Sequence, residues 1–202
     1  MPAEVSQRID GHRLWQRLMD LARFGATSKG GVCRLALSRE EIEARAALVN
    51  WARLIGLKPS TDAAANLFLS LEGRESGLAP LLIGSHIDSQ PTGGKFDGAY
   101  GVLAALEAAQ AISEVPERPR RTIEVVAWMN EEGSRFAPGM GDTSAAAGLP
   151  RTAQFERCTL RQSTQQVRTS RLIPRLHDEA QLVRGSRGCQ SVTGNGAGRL
   201  EQ

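Results

Sequence analysis

Aromatic residues, cysteines and long apolar runs are all scarce in this 202-residue sequence. Aromatic residues make up 4% of the chain, so aliphatic and alanine side chains must form the hydrophobic core. No stretch approaches the roughly 18 consecutive apolar residues that a membrane-spanning helix requires. The first residues also lack a basic segment followed by an apolar one, so no secretory signal is expected. The sequence therefore predicts neither membrane attachment nor secretion.

The three cysteines, Cys33, Cys158 and Cys189, are widely spaced and form no CxxC pair. An odd number at such spacing indicates no disulfide framework. Because free cysteines are typical of reducing compartments, we expect a cytoplasmic location.

The net charge of +3 is unevenly distributed along the chain. Residues 151–202 contain nine arginines, no lysine and four acidic residues, a balance of +5, which leaves residues 1–150 with a balance of −2. The body of the protein thus has no basic surplus for specific nucleic-acid binding. Residues 151–202 also lack a sustained period of 2 or 3.6, so they have little to bury. This irregular Arg-rich segment is either a poorly ordered tail or, the interpretation we favour, a product of a frameshift near residues 140–150.

Two short apolar runs flank an alanine-rich segment in the middle of the sequence. Residues 80–85 and 122–128 are typical of strands that are buried on both faces. Residues 101–112 predict a helix between them. Strand, helix and strand in this order indicate a βαβ unit with a parallel strand pair. The predicted fold class is therefore α/β, with a mostly parallel central sheet flanked by helices.

Two further helices and one strand are predicted before this unit. Leucines recur at helical spacing within residues 11–24. Ser38 followed by Glu41 has the spacing of a capping box, so a helix is expected to begin there and to end near Gly56. Residues 66–71 are typical of a strand.

A histidine and an aspartate lie where the first of the two apolar runs ends. His86 and Asp88 are two residues apart, so on an extended backbone they face the same side. A carboxylate in that position can orient an imidazole whose other nitrogen binds a metal ion. A polar strand end without catalytic function is the alternative.

A glycine-rich loop at residues 93–101 follows, with Asp97 as its one acidic residue. A plain turn and a phosphate-binding loop are the alternatives to a catalytic loop. The sequence fits neither the dinucleotide-binding nor the P-loop pattern, so nucleotide binding is poorly supported. The two oxygens of the Asp97 carboxylate could bridge two cations.

Glu131 and Glu132 come directly after the second apolar run. Adjacent carboxylates repel each other unless cations or solvent compensate, and a solvated acidic turn is the alternative. Because consecutive side chains diverge, one glutamate could bind metal while the other holds a water molecule. The carboxyl ends of parallel strands lie at one edge of a sheet, so these elements together predict a two-metal site that activates water.

The segments GSHIDSQPTGGKFDGAYGVLAALE and IEVVAWMNEEGSRFAPGM resemble the zinc- or manganese-dependent N-carbamoyl-L-amino-acid hydrolases. This group includes β-ureidopropionases and allantoate amidohydrolases and is related to the aminoacylase and carboxypeptidase metallopeptidases. The stretch GATSKGGVCRLALS resembles its N-terminal region, and the whole resemblance covers about residues 10–148. It implies a metallopeptidase-like α/β catalytic domain with a smaller inserted lid domain that forms a homodimer.

The resemblance also implies a role for each candidate residue. His86 would bind one metal ion, Asp97 would bridge both ions, and Glu132 would bind the second. Glu131 would be the general base, and Asp88 would orient His86. The implied cofactors are two divalent ions, Zn²⁺ or Mn²⁺, with Co²⁺ or Ni²⁺ as alternatives.

The activity implied by the resemblance is hydrolysis of C–N bonds in linear non-peptide amides, with a small N-carbamoyl or ureido amino acid as substrate. A related aminoacylase or dipeptidase and a catalytically dead fragment are the alternatives. The family's remaining metal ligands, its substrate-binding arginine and its lid lie further downstream than the resemblance extends. We therefore expect residues 1–150 to be the N-terminal part of the catalytic domain, the dimerising lid to be missing, and this chain to be truncated and poorly active.

Overall fold

The structure, a computed structural model, describes residues 2–137 and residue 139. The helices are α1 (Pro2–Ser6), α2 (Gly11–Leu21), α3 (Arg39–Leu54) and α4 (Ala99–Ser113). The strands are β1 (Lys58–Thr61), β2 (Leu67–Leu71), β3 (Leu81–His86) and β4 (Ile123–Trp128). None of these helices is both long enough and apolar enough to cross a membrane. The predicted tail at 151–202 lies outside the described residues.

The four strands form one sheet in the order β1-β2-β4-β3. β3 and β4 pair in parallel through α4, which confirms the predicted βαβ unit. The other two pairings are antiparallel, so this part of the sheet is mixed rather than mostly parallel. The connection between β1 and β2, residues 62–66, is too short for the crossover that a parallel pair requires.

The prediction that β3 is buried on both faces was wrong. β3 lies at one end of the described sheet, where Leu81 and Leu82 are 49% and 42% exposed. β4 lies inside the sheet and is mostly buried, as predicted. An apolar run identifies a strand, but the position of that strand in the sheet depends on pairings with distant residues.

The predicted helices are confirmed as α2, α3 and α4. Ser38 caps α3 by accepting the Glu41 N–H at 3.2 Å. The Glu41 carboxylate accepts the Leu37 N–H at 3.3 Å and pairs with Arg45, so the reciprocal half of the capping box shifts by one residue. The local sequence thus determines where α3 begins.

The hydrophobic core lies between the sheet and helices α2, α3 and α4, and aliphatic residues from each contribute to it, among them Leu21, Leu48, Leu103 and Val125. A buried ionic contact joins α2 to α4. The Glu107 carboxylate accepts from Arg13 Nη2 at 2.7 Å, from Arg13 Nε at 2.8 Å and from the Asp10 N–H at 2.8 Å. Arg17 Nη1 lies 3.6 Å from the same carboxylate. This contact fixes the helix that follows the glycine-rich loop.

Cys33 is buried, with 4% of the residue exposed. The other two cysteines, Cys158 and Cys189, lie outside the described residues, so the expectation drawn from cysteine spacing and the cytoplasmic location both stay predictions.

Candidate active site

His86 occupies the last position of β3, and its side chain is 7% exposed. Its Nδ1 atom lies 3.0 Å from the main-chain oxygen of Asp88 and 3.5 Å from Asp88 Oδ1. When Nδ1 carries the proton it donates to Asp88, and the lone pair is then on Nε2. Nε2 lies 3.3 Å from Glu131 Oε2. The ring is therefore held between two carboxylates.

Asp88 joins the ends of the two parallel strands. Its side chain is 3% exposed, and its oxygens accept the main-chain N–H groups of Glu131 and Glu132, each at 3.3 Å. Glu131 and Glu132 lie just beyond β4, which ends at Trp128, and Asp88 lies two residues beyond His86, the last residue of β3. The structure thus brings the two polar strand ends together at one edge of the sheet.

The two adjacent glutamates point in different directions. The carboxylate of Glu131 faces the His86 ring. That of Glu132 accepts from Gln90 Nε2 at 3.0 Å, in the loop after β3. Asn130, which precedes them, has a φ of 55° and donates to the Phe136 carbonyl at 2.7 Å. The unusual backbone at Asn130 accompanies the turn that separates the glutamates from β4.

The backbone of the glycine-rich loop approaches His86 at Gly98. Gly98 has a φ of 63°, and a Cβ atom added there would lie 2.4 Å from His86 Nε2. Glycine is needed at this position, both for the left-handed backbone and for the close approach to the ring. The Asp97 side chain itself is exposed.

The surroundings of His86 favour a positive charge on its ring. Burial disfavours the charged imidazole, but the hydrogen bond and charge of Asp88, together with the charge of Glu131, outweigh it and raise the pKa of His86 above its usual value. The same negative charges would favour a cation beside Nε2.

The types of donor at this edge of the sheet fit zinc or manganese, since imidazole nitrogen and carboxylate oxygen are ligands of both. Within residues 2–137 and 139, no group of three or more His, Cys, Asp or Glu side chains is close enough to hold a metal ion. His86, Asp88 and Glu131 are brought together, whereas Asp97 is exposed and Glu132 faces Gln90.

Two residues near this site, Arg34 and Gln90, had no predicted role. Arg34 is buried against the main chain after His86, and Gln90 binds Glu132. Both lie in segments that carry the family resemblance, and that resemblance was the one sequence feature that could have pointed to them. A separate cavity of about 230 Å³, lined by residues such as Lys58, Glu72 and Arg118, contains none of the predicted site residues.

Comparison with known proteins connects this arrangement to a group of hydrolases. Residues 66–150 match the sequence model of Peptidase family M28. The chain is 39% identical over 144 residues to an N-carbamoyl-L-amino-acid amidohydrolase of Rhizobium meliloti, covering 71% of this chain and 35% of that protein. It is 42% identical over 116 residues to an allantoate amidohydrolase of Bacillus subtilis, covering 57% of this chain and 28% of that protein.

The fold is shared as well. The structure of a hydantoinase/carbamoylase family amidase from Burkholderia ambifaria superposes with a TM-score of 0.68 at 46% identity, covering 71% of this chain and 36% of that one. The predicted α/β metallopeptidase-like fold is therefore confirmed. The N-terminal part of the chain is similar in sequence to N-carbamoyl-L-amino-acid and allantoate amidohydrolases, and the chain spans about a third of the length of these relatives.

Proposed function

We propose that residues 1–150 are the N-terminal part of the catalytic domain of a metal-dependent hydrolase that cleaves C–N bonds in N-carbamoyl or ureido amino acids. The observation that carries this proposal is the buried His86, whose Nδ1 lies 3.5 Å from Asp88 and whose Nε2 lies 3.3 Å from Glu131. A ring oriented by one carboxylate and facing another is suited to a hydrolytic metal site. The names of the homologous proteins support the substrate class.

In this proposal His86, Asp97 and Glu132 would hold two divalent metal ions, Zn²⁺ or Mn²⁺. When bound, such ions lower the pKa of a shared water molecule and polarise the carbonyl of the substrate. Asp88 accepts the Nδ1 proton of His86 and keeps the lone pair on Nε2. Asp97 is exposed, and Glu132 accepts from Gln90 through Oε2, which leaves its Oε1 for a metal ion.

The proposed chemistry requires one residue that moves protons. Glu131 would accept a proton from the attacking water and pass it to the departing amine. One water molecule and one N-carbamoyl amino acid then yield ammonia, carbon dioxide and the free amino acid. The Glu131 carboxylate lies beside His86 with its side chain 28% exposed, so solvent can reach it.

We further propose that the 202-residue chain alone is a poorly active form. The aligned region spans 35% of the length of the Rhizobium meliloti protein. Metal affinity depends on the number and preorganisation of the ligands. Purified protein should therefore contain little zinc, as measured by elemental analysis. A stoichiometric complex with two metal ions would contradict this expectation.

The activity is tested by measuring ammonia release from N-carbamoyl-L-amino acids with added Mn²⁺ or Zn²⁺. We expect slow release that His86→Ala abolishes, whereas His12→Ala, at an exposed position of α2, leaves it unchanged. Full activity of His86→Ala would refute the proposal. Release of an acyl acid or an amino acid from acylated substrates would indicate an aminoacylase or dipeptidase instead.

A catalytically dead fragment is the second candidate. The lack of a three-ligand group within the described ranges favours it. It predicts a folded protein that releases no ammonia at any concentration of either metal.

A further inference from the structure

Arg34 is a buried arginine whose contacts converge on the segment that carries His86. Its side chain is among the largest that are fully buried in the described residues, with 1% of the residue exposed. Burying a guanidinium costs free energy, and an apolar side chain could fill the same space at a lower cost. The contacts of Arg34 should therefore explain what the charge achieves.

The guanidinium donates to main-chain carbonyl oxygens on both sides of it. Its Nε donates to the Ile87 carbonyl at 2.6 Å. Its Nη1 donates to the carbonyls of Leu21 and Phe24, each at 3.0 Å, where α2 ends. The fixed fork of an arginine thus links the end of α2 to the peptide bond between Ile87 and Asp88.

The main chain of Arg34 is bound to the same segment. The Arg34 N–H donates to Ser89 Oγ at 2.9 Å, and the Ser89 N–H donates to the Arg34 carbonyl at 2.8 Å. Two residues away, Val32 and Gly93 exchange a pair of main-chain hydrogen bonds, each at 3.0 Å. Residues 87–93 after β3 are therefore held from one side by residues 32–34.

These contacts hold the residues that directly follow His86, the proposed metal ligand. Ile87 is the residue between His86 and Asp88, and its carbonyl belongs to the peptide plane that leads into Asp88. Fixing that plane fixes where the Asp88 oxygens meet His86 Nδ1. The negative charge of Asp88 also reaches Arg34, where it opposes the lowering of the Arg34 pKa by burial.

We propose that Arg34 is a positioning residue, which holds the His86–Asp88 pair in the geometry needed for metal binding by clamping the Ile87 carbonyl. This inference rests on the proposed function, because it assigns the metal to His86. Arg34 touches neither metal nor substrate in this account. Residues that support metal ligands from behind alter metal affinity by about 10- to 100-fold when they are changed.

The test compares Arg34→Lys with the wild-type chain in Co²⁺ titrations, followed by the visible absorption of bound Co²⁺ and by the side-chain NMR signals of His86. A lysine keeps the charge but lacks the fork that reaches both Ile87 and the end of α2. We expect Co²⁺ affinity at His86 to fall by about 10-fold or more, with an unchanged far-UV circular dichroism spectrum.

Arg17→Lys is the matched control. Arg17 is another largely buried arginine, but it contacts Glu107 and Gln110 of α4 and lies over the ring of Trp51 in α3. Its replacement should leave the Co²⁺ affinity within about twofold, because it does not contact residues 86–89. An equal loss in both variants would mean that Arg34 acts through general stability, and would overturn the inference.

Two further outcomes are informative. If wild-type protein binds Co²⁺ at His86 and Arg34→Lys binds it equally well, the positioning role is refuted while the proposed function stands. If Co²⁺ leaves the His86 signals of the wild-type chain unchanged, the proposed function fails and this inference fails with it.

Should Arg34→Lys not fold, Ser89→Ala decides, since it removes the Oγ acceptor of the Arg34 N–H without changing a charge. The inference requires weaker Co²⁺ binding in Ser89→Ala and is overturned by wild-type affinity.

Discussion

Glu107 and Asp88 are both buried carboxylates, but their partners differ in charge. Glu107 accepts two hydrogen bonds from Arg13 and lies 3.6 Å from Arg17. Asp88 accepts two main-chain N–H groups at 3.3 Å and faces a histidine. The first carboxylate is paired with arginines within the fold, whereas the second lies with Glu131 on either side of one histidine ring. The comparison separates a contact that stabilises the fold from one that is suited to receive a cation.

The largest effect should come from breaking the pairing of Glu107 with arginines. Glu107→Ala leaves Arg17 largely buried without its carboxylate, so the free energy of unfolding should fall by about 3 kcal/mol or more. Urea denaturation followed by circular dichroism measures this loss. Glu114→Ala is the control, because Glu114 is exposed and 3.5 Å from Arg13, so its replacement should cost less than about 1 kcal/mol. Equal losses in the two variants would contradict the distinction.

Asp88→Asn should affect metal binding more than stability. The variant keeps the shape of the side chain but loses the charge that orients His86, so affinity for Zn²⁺ should fall by about 10- to 100-fold. Isothermal titration calorimetry measures it. Asp62→Asn is matched, since Asp62 also accepts two main-chain N–H groups, those of Ala64 and Asn66, in the connection between β1 and β2. Comparable Zn²⁺ affinity in the two variants would show that Asp88 has no specific role in metal binding.

Gly98→Ala should perturb the site from the Nε2 side of the His86 ring, opposite the Nδ1 side that Asp88 contacts. Its Cβ would lie 2.4 Å from His86 Nε2, and its φ of 63° disfavours alanine by about 1–2 kcal/mol. We expect displaced His86 side-chain NMR signals and a lower unfolding midpoint. Gly94→Ala, in the same loop, has nothing within 4 Å of the added Cβ and should behave like the wild type. Unaltered His86 signals in Gly98→Ala would show that the loop does not approach the ring.

The smallest effect should appear in the pH dependence of stability. Although burial raises the pKa of Glu107, its hydrogen bond to Arg13, the Asp10 N–H and the charges of Arg13 and Arg17 lower it overall. Its contribution to stability is therefore present above the ordinary carboxylate pKa and is lost as the pH falls through the lowered value. Between neutral and strongly acidic pH, Glu107→Gln should lose less stability than the wild type. If the free energy of unfolding changes with pH in the same way in both proteins, protonation of Glu107 does not contribute to the loss of stability in acid.

Local sequence signals predicted much of this fold. The cap at Ser38 and the contact between His86 and Asp88 join residues two or three positions apart, so spacing was sufficient to suggest them. The exposure of Leu81 and the hydrogen bond between Gln90 and Glu132 depend on residues far apart in the sequence. Neither spacing nor composition contains that information.

Arg34 illustrates the same limit at the site. Its acceptors at Leu21, Phe24 and Ile87 are main-chain carbonyls, which every residue type provides. No pattern of side chains therefore marked Arg34 as a partner of the segment after β3. The residues predicted for the site were those with acidic or imidazole side chains at strand ends, because their chemistry is visible in the sequence.

The central claim, that the edge of the sheet around His86 receives a divalent metal ion, is tested most directly by adding Zn²⁺ to the isotopically labelled chain and following its three histidines by side-chain NMR. The account predicts that the Nε2 signal of His86 shifts with added Zn²⁺ while that of His12 does not. An unchanged His86 signal in folded protein, at Zn²⁺ concentrations that already perturb His12, would contradict it.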